Sequence, residues 1–215
     1  NLAENDRIRF NRRLEEQTHI KNGLMELAEK MGGNQNMTQL AQNIIEKLAS
    51  FVKAQVGAIY IAGNAKQLTW AAGYAYTQTP TVPTDFNKGE GLIGQAAIQK
   101  TMLTISDVPE SYLKVNSGLG HAVPKFLVVV PFIYENQVKC VFELGSFTPF
   151  TDLQIEFLHL SLDNIAIVFH SAESRQQMSE LLVQTQTQAE ELQVQQEELQ
   201  AANEELEGKT QELEA

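Results

Sequence analysis

Residues 126–147 read FLVVVPFIYENQVKCVFELGSF and contain the strongest fold signal in this sequence of 215 residues. The pattern predicts two strands, residues 126–134 and 138–147, joined by a short turn at residues 135–137. The first strand is almost continuously apolar, which is typical of a central strand that is covered on both faces. We therefore expect a sheet with this hairpin near its centre.

The chain begins with two predicted helices, and two predicted strands come after them. Apolar residues recur at three- and four-residue steps over residues 6–31 and again over 40–52, which predicts two helices with one apolar face each. Residues 56–62 and 68–74 are short, apolar and aromatic, which predicts strands. The composition TQTPTVPTD of residues 77–85 predicts a loop. The predicted fold class is α+β, an antiparallel sheet flanked by helices.

The C-terminal part predicts a long helix that forms a coiled coil. Between residue 152 and Gly208 the sequence contains neither Pro nor Gly. Leucines at seven-residue intervals form one seam at heptad d positions, and a second seam lies four residues after each of them. An Asn in that second seam favours a parallel, in-register, two-stranded coil. The predicted dimer contacts are Leu182, Thr185, Ala189, Leu192, Leu199, Asn203, Leu206 and Leu213. A single solvated helix or a low-complexity segment is the alternative.

Charge and composition exclude several classes of partner. The net charge is −11, of which residues 175–215 contribute −8 through ten Glu and two basic residues, so the rest of the chain contributes −3. Because nucleic-acid binding needs clustered Lys and Arg, we expect no nucleic-acid partner. The longest apolar run is far shorter than the ~20 residues of a membrane helix, so we expect no membrane contact by this fragment. The absence of a signal-peptide pattern and a single Cys fit a cytoplasmic location. The first residue is Asn rather than Met, which indicates a piece of a longer polypeptide.

No residue pattern indicates catalysis or metal binding. Residues 89–94 read GEGLIG and match G-x-G-x-x-G, but a Thr/Pro-rich loop stands where a dinucleotide site needs its first strand. The glycines then mark a tight entry to a short helix at 89–100, whose N-terminal amides can face an anionic group. Cys140 alternates with apolar residues and is predicted to be buried. A catalytic role for this thiol is the enzymatic alternative.

A small-molecule pocket is the other candidate site. Glu143 stands in the middle of a predicted strand, where a buried carboxylate without a partner is costly, so it faces water or meets a polar group. Aromatic residues near two irregular loops offer the surface of an apolar pocket, or else belong to the core. His121 lies in a Gly-rich stretch and either contacts a ligand or is solvated. The pocket candidates are Tyr74, Tyr76, Phe86, Asp107, Tyr112, His121, Phe126 and Glu143. No cofactor is identifiable.

The order of these elements resembles a GAF domain, a sensor fold related to PAS. The resemblance covers about residues 20–172 and depends on residues 89–97, 105–108, 127–132, 141–144 and the stretch FTDLQ at 150–154. It implies an antiparallel sheet with flanking helices and a ligand pocket. The resemblance divides the chain into three segments, which are a linker and dimerisation helix at 1–33, the GAF domain at 34–172 and a signalling coiled-coil helix at 173–215.

The C-terminal helical segment resembles a known type of signalling helix. Residues 188–207, QAEELQVQQEELQAANEELE, look like the signalling helix that joins a GAF domain to the dimerisation and kinase domains of bacterial, often hybrid, sensor histidine kinases. The resemblance implies a sensory and transmitter module, active as a parallel homodimer, with histidine kinase domains downstream in the parent chain and no catalysis in this fragment. The parent chain would often be anchored in the inner membrane. The alternative is a ligand-free dimerisation spacer.

Overall fold

The protein is described by a computed structural model that covers residues 2–63, 67–76, 83–109, 112 and 114–214. Within these described residues, four helices and eight strands follow one another. In order they are α1 (Leu2–Met31), α2 (Met37–Val52), β1 (Val56–Ala62), β2 (Gln67–Tyr74), β3 (Asp85–Asn87), α3 (Gly91–Gln99), β4 (Leu103–Ile105), β5 (Val115–Ser117), β6 (Gly120–Ala122), β7 (Phe126–Tyr134), β8 (Gln137–Ser146) and α4 (Asp152–Glu214).

Six strands form one antiparallel sheet in the order β3-β2-β1-β8-β7-β4, and β5 pairs with β6 in a separate hairpin. The α+β class with an antiparallel sheet flanked by helices is confirmed. The predicted hairpin is the β7–β8 pair, and its turn residues Glu135 and Asn136 both have positive φ angles, 46° and 64°. Such a turn matches the right-handed twist of the two strands. The Nζ of Lys100, just after α3, donates a hydrogen bond to the Asn136 carbonyl at 2.7 Å.

Both faces of the sheet are covered. We call the side packed against α1, α2 and the first part of α4 the helical face, and the side packed against α3 the α3 face. Residues of β7 alternate between them, so that Val128 and Val130 belong to the core of the helical face while Val129 belongs to that of the α3 face. The helical face also buries Ile44, Leu48, Phe132, Phe142, Phe157 and Phe169. The α3 face buries Ala58, Tyr60, Leu68, Ile93, Ala96 and Val141.

Two β-bulges change which face a side chain reaches. In the β1–β2 pair, Ile59 lies opposite Ala72 but Tyr60 lies opposite Trp70, so Ala71 has no partner. In the β7–β8 pair, Lys139 is left unpaired in the same way. Because side chains alternate along a strand, one extra residue moves every later side chain to the other face.

One predicted boundary differs from the structure, and two further features of the chain accompany it. The loop predicted at 77–85 ends in β3, whose Asp85 and Phe86 pair with β2, while residues 77–82 lie outside the described residues. The connection after β4 includes the β5–β6 hairpin. The last helix passes through Gly208 and reaches Glu214, because a glycine costs a helix only ~1 kcal/mol and does not end it.

The chain forms two compact units, one from Asn1 to Ala172 and one from Glu173 to Ala215. Within the described ranges, none of the helices combines the length and the apolar character required to cross a membrane.

We predict that Gly94→Ala destabilises the first unit. A Cβ at this position would lie 2.2 Å from the Asn87 carbonyl oxygen and 2.8 Å from the Gly89 nitrogen, and both are backbone atoms. Overpacking of this kind costs about 1–3 kcal/mol in the free energy of unfolding, measured by urea titration with the fluorescence of Trp70. The matched control is Gly118→Ala, whose Cβ meets nothing within 4 Å. Equal stabilities of the two variants would contradict the close approach of α3 to the Asn87 loop.

Candidate functional site

A cavity of about 240 Å³ opens on the α3 face of the sheet. Strands β1, β7 and β8 form its floor. Its walls consist of Tyr76 from the segment after β2, Phe86 of β3 and Tyr112 from the segment before β5. The lining consists of Val56, Gly57, Ala58, Tyr60, Tyr76, Phe86, Tyr112, Leu127, Glu143 and Gly145. Most of these residues are apolar or aromatic, which is the usual composition of a small-molecule site.

One carboxylate lies in the floor of this cavity. Glu143 is half-buried on β8, where its backbone pairs with Ala58 on one side and Val129 on the other. Its Oε1 accepts a hydrogen bond from the Tyr112 hydroxyl at 3.1 Å. Burial raises the pKa of Glu143 above its usual value, and the bond from Tyr112 lowers it by a smaller amount because it favours the ionised form. The described lining includes no Lys, Arg or His.

Three tyrosines surround this carboxylate. Burial raises the pKa of Tyr60, Tyr76 and Tyr112, and the negative charge of Glu143 raises each of them further. Their hydroxyl groups therefore stay protonated near neutral pH and are available as hydrogen-bond donors. The ring of Tyr60 packs edge-on against Phe86, with ring centroids 5.3 Å apart.

The structure brings together four of the eight pocket candidates: Tyr76, Phe86, Tyr112 and Glu143. Tyr74 lies on the helical face and packs against the core there. The bulge at Ala71 is the reason, because without it Tyr74 would share the α3 face with Leu68. Tyr76 reaches the cavity because the chain turns at Ala75, which has a positive φ of 48°.

Three further candidates lie outside the cavity lining. Phe126 precedes Val128 by two residues and so belongs to the helical side of β7, while its neighbour Leu127 lines the cavity. Asp107 is exposed in a turn with a positive φ of 56°. His121 is exposed on β6, opposite Asn116.

Sequence reasoning missed Tyr60, which is the most buried aromatic residue of the site at 3% exposure. It missed the rest of the floor as well, namely Val56, Gly57, Ala58, Leu127 and Gly145. The alternation of residues 56, 58 and 60 was the available signal. It identifies a common face, but only the pairing of β1 with β8 shows that Glu143 shares that face.

The glycine-rich stretch at residues 89–94 forms a turn and lies outside the described cavity lining. Glu90 Oε2 accepts hydrogen bonds from the backbone nitrogen and the Nδ2 of Asn87, at 2.9 and 3.0 Å. Gly94 lets the first turn of α3 pack directly on this loop. The preceding strand β3 runs antiparallel to β2, so these glycines do not stand in the parallel βαβ unit of a dinucleotide site.

Cys140 is fully buried on the helical face, and burial raises the pKa of its thiol well above the usual value. A reactive cysteine requires an accessible thiolate. Since Glu143 and the cavity occupy the α3 face, Cys140 is separated from them by the sheet itself.

The predicted coiled-coil residues are helical, and the leucines among them are exposed in the single chain. Leu182, Leu192, Leu199 and Leu206 have 61–66% of their surface accessible. Thr185, Ala189 and Asn203 are exposed as well, and the side chain of Leu213 lies outside the described residues. Glutamines at heptad e positions donate to glutamates four residues later, in the pairs Gln186–Glu190, Gln193–Glu197 and Gln200–Glu204. These bonds support the single helix rather than selecting a partner chain.

Comparison with known proteins agrees with this architecture. The family model of the GAF domain matches residues 34–170. The GAF domain of a phosphoenolpyruvate-protein phosphotransferase from Coxiella burnetii has a TM-score of 0.61 at 15% identity, over 74% of this chain and 96% of that one. The free methionine-R-sulfoxide reductase of Neisseria meningitidis, solved with its substrate, has a TM-score of 0.57 at 16% identity, over 73% and 91%. The nlh2 GAF domain of A. aeolicus, solved in an inactive state, has a TM-score of 0.51 at 22% identity, over 72% and 93%.

The chain belongs to the GAF domain family, a family of signalling and sensory modules. The solved structures share its fold, and their identities are too low to show more than that. No curated protein sequence matches the chain. A GAF domain alone is generally non-catalytic, although the reductases of the same fold are enzymes.

We predict that Glu143→Gln changes how stability depends on pH. The folded-state pKa of Glu143 lies above its unfolded value near 4.5, so the folded protein binds this proton more tightly. The resulting stability is complete below the unfolded pKa and is lost as pH rises through the folded pKa. Glu143→Gln has no carboxyl group at this position, so its stability does not fall as pH rises through that pKa. Its free energy of unfolding, relative to the wild type, should therefore increase with pH and then level off.

Urea titrations from about pH 4 to pH 8 measure this difference. Glu46→Gln is the control, because Glu46 is an exposed carboxylate on α2. Parallel stability curves for the wild type and Glu143→Gln would contradict the burial of this carboxylate.

Proposed function

We propose that this chain is the sensory and transmitter module of a bacterial sensor histidine kinase. A ligand or an upstream signal changes the arrangement of a parallel dimer, and the C-terminal helix relays the change to kinase domains further along the parent chain. The observation that supports this best is α4 itself. The same helix contributes core residues before Ala172 and the heptad leucines after Glu173.

The core residues of α4 explain how a structural change in the first unit would be transmitted to the part of α4 after Glu173. Phe157, Ile165 and Phe169 are fully buried on the helical face, together with side chains of α2 and β8. Packed cores resist gradual deformation, so a change in the sheet repositions this part of the helix rather than being absorbed locally.

The dimer is supported by apolar surface on the first and last helices. On α1, Ile8, Phe10 and Leu14 are 53–67% exposed, and on α4 Leu160 is 50% exposed. A shallow groove between these two helices includes Ile20, Leu24 and Leu160. Exposed apolar side chains next to an apolar groove are a feature of surfaces that pack against a second protein. We propose a parallel homodimer through α1 and α4, in a cytoplasmic location, with the parent chain anchored in the inner membrane.

A ligand-free dimerisation spacer remains the alternative function. It uses the same dimer contacts, but the cavity at Glu143 has no role in it, and the helix only sets a distance. The two functions differ in whether the rotational phase of α4 matters, since a spacer tolerates any phase that preserves the dimer.

We predict that Leu199→Ala weakens the dimer while Val194→Ala does not. Both side chains are exposed on α4 in the single chain, at 66% and 54%, but Leu199 lies on the d seam and Val194 lies at an f position, outside it. Removing a buried leucine costs about 2–5 kcal/mol, which raises the dimer dissociation constant by roughly thirty-fold or more. Sedimentation equilibrium measures both constants. Equal effects of the two substitutions would contradict the heptad assignment.

We predict that insertions after Ala172 change kinase output periodically. In a fusion of this chain to the dimerisation and catalytic domains of a histidine kinase, each inserted residue rotates the following helix by about 100°. Insertion of one or two residues, a rotation of about 100° or 200°, should shift autophosphorylation strongly. Insertion of seven, which ends within about 20° of two full turns, should restore it because seven residues preserve the heptad register. Output that is independent of insertion length would favour the spacer.

A further inference from the structure

The cavity combines features that point to the charge of its ligand. Four aromatic side chains, Tyr60, Tyr76, Phe86 and Tyr112, line it together with the carboxylate of Glu143. Aromatic rings attract cations through the negative charge of their faces, and groups of such rings are a recurrent way of binding alkylated ammonium ions. The carboxylate adds a full negative charge when it is ionised.

The described lining supplies no positive charge to balance this carboxylate. Glu143 faces Tyr60 from β1, Tyr76 from the segment after β2 and Tyr112 from the segment before β5, while Leu127 of β7 is apolar. Its hydrogen bond comes from the neutral hydroxyl of Tyr112. A half-buried carboxylate with neutral neighbours gains most from a cation of opposite charge.

We propose that the cavity binds a small organic cation, an alkylated or protonated amine, with its positive centre between the Glu143 carboxylate and the surrounding aromatic rings. An anion would be repelled by Glu143 and would find no basic side chain in the described lining. A neutral apolar molecule would fill the same space but would leave the carboxylate without compensation. The volume of about 240 Å³ lies below the range usual for drug-sized ligands, so the ligand is a small metabolite.

This inference rests on the proposed sensory function, because it names the class of ligand to which the module responds. Binding of a cation favours the ionised form of Glu143. Affinity should therefore rise with pH until Glu143 is already ionised in the free protein, and below that point binding should release a proton.

Choline and 3,3-dimethylbutan-1-ol form a matched pair of probes, since they have nearly the same shape and only choline has a charge. Isothermal titration calorimetry of the full 215-residue chain should give measurable binding of choline at millimolar concentration and at least ten-fold weaker binding of the alcohol. Succinate and tetramethylammonium extend the comparison to an anion and to a smaller cation. Titrations in buffers of different ionisation enthalpy measure the released proton.

Three variants separate the contributions to binding. Glu143→Gln should weaken choline binding at least ten-fold and abolish proton release, while the alcohol is unaffected. Phe86→Leu retains apolar volume but removes an aromatic ring, and should weaken choline binding several-fold more than binding of the alcohol. Glu46→Gln, with its exposed carboxylate on α2, should bind as the wild type does. Since Glu143→Gln should be at least as stable as the wild type near neutral pH, its loss of binding would not reflect unfolding.

Several results would overturn the cation assignment. They are equal binding of choline and the alcohol, tighter binding of succinate, undiminished choline binding by Glu143→Gln, or no binding of either ammonium ion up to about 10 mM. The insertion series after Ala172 is independent of these probes. If the probes fail and the insertions still alter kinase output, the sensory function stands with a different ligand, and if both fail the spacer is favoured.

Discussion

The pairing of β8 with β1 on one side and β7 on the other places consecutive residues of a single strand on two different surfaces. Phe142 and Leu144 pack into the core beneath α2 and α4, while Glu143 between them faces the cavity. The same alternation in β7 separates Val128 from Val129. Because both faces of this sheet are occupied, a one-residue shift would place Glu143 among buried apolar side chains and move Phe142 into the cavity, at a large cost. The position of the site thus depends on the register of the central strands.

The same register connects the cavity with the helices. Strand β8 supplies both Glu143 to the cavity floor and Phe142 to the core that buries Phe157 and Phe169 of α4. In the proposed function, a ligand bound at Glu143 would act on a strand whose other face packs into the core that holds α4. A ligand that binds two arrangements of the dimer equally well would still have no effect, so differential contact is what a sensory role requires.

A shared fold does not fix the chemistry of its cavity. The single cysteine of the present chain, Cys140, lies on the helical face, whereas the cavity lies on the other side of the sheet. The chemistry of a GAF domain is decided by which side chains the strands turn toward the cavity, and the fold alone does not determine it. Here those side chains are aromatic rings and one carboxylate.

The sequence by itself determined the α+β class, the β7–β8 hairpin, the amphipathic helices and the heptad leucines, because each depends on periodicity and turn chemistry within a short window. It also identified Glu143, since a charge in an apolar strand is visible locally. Only the tertiary structure decided which aromatic residues accompany it. Tyr74 lies outside the cavity because the bulge at Ala71 turns it to the helical face, and Phe126 lies outside because side chains alternate along β7. Tyr60 lies in the cavity beside Glu143 because β1 pairs with β8. Strand pairing and bulges are set by packing between residues far apart in the chain, and no local pattern encodes them.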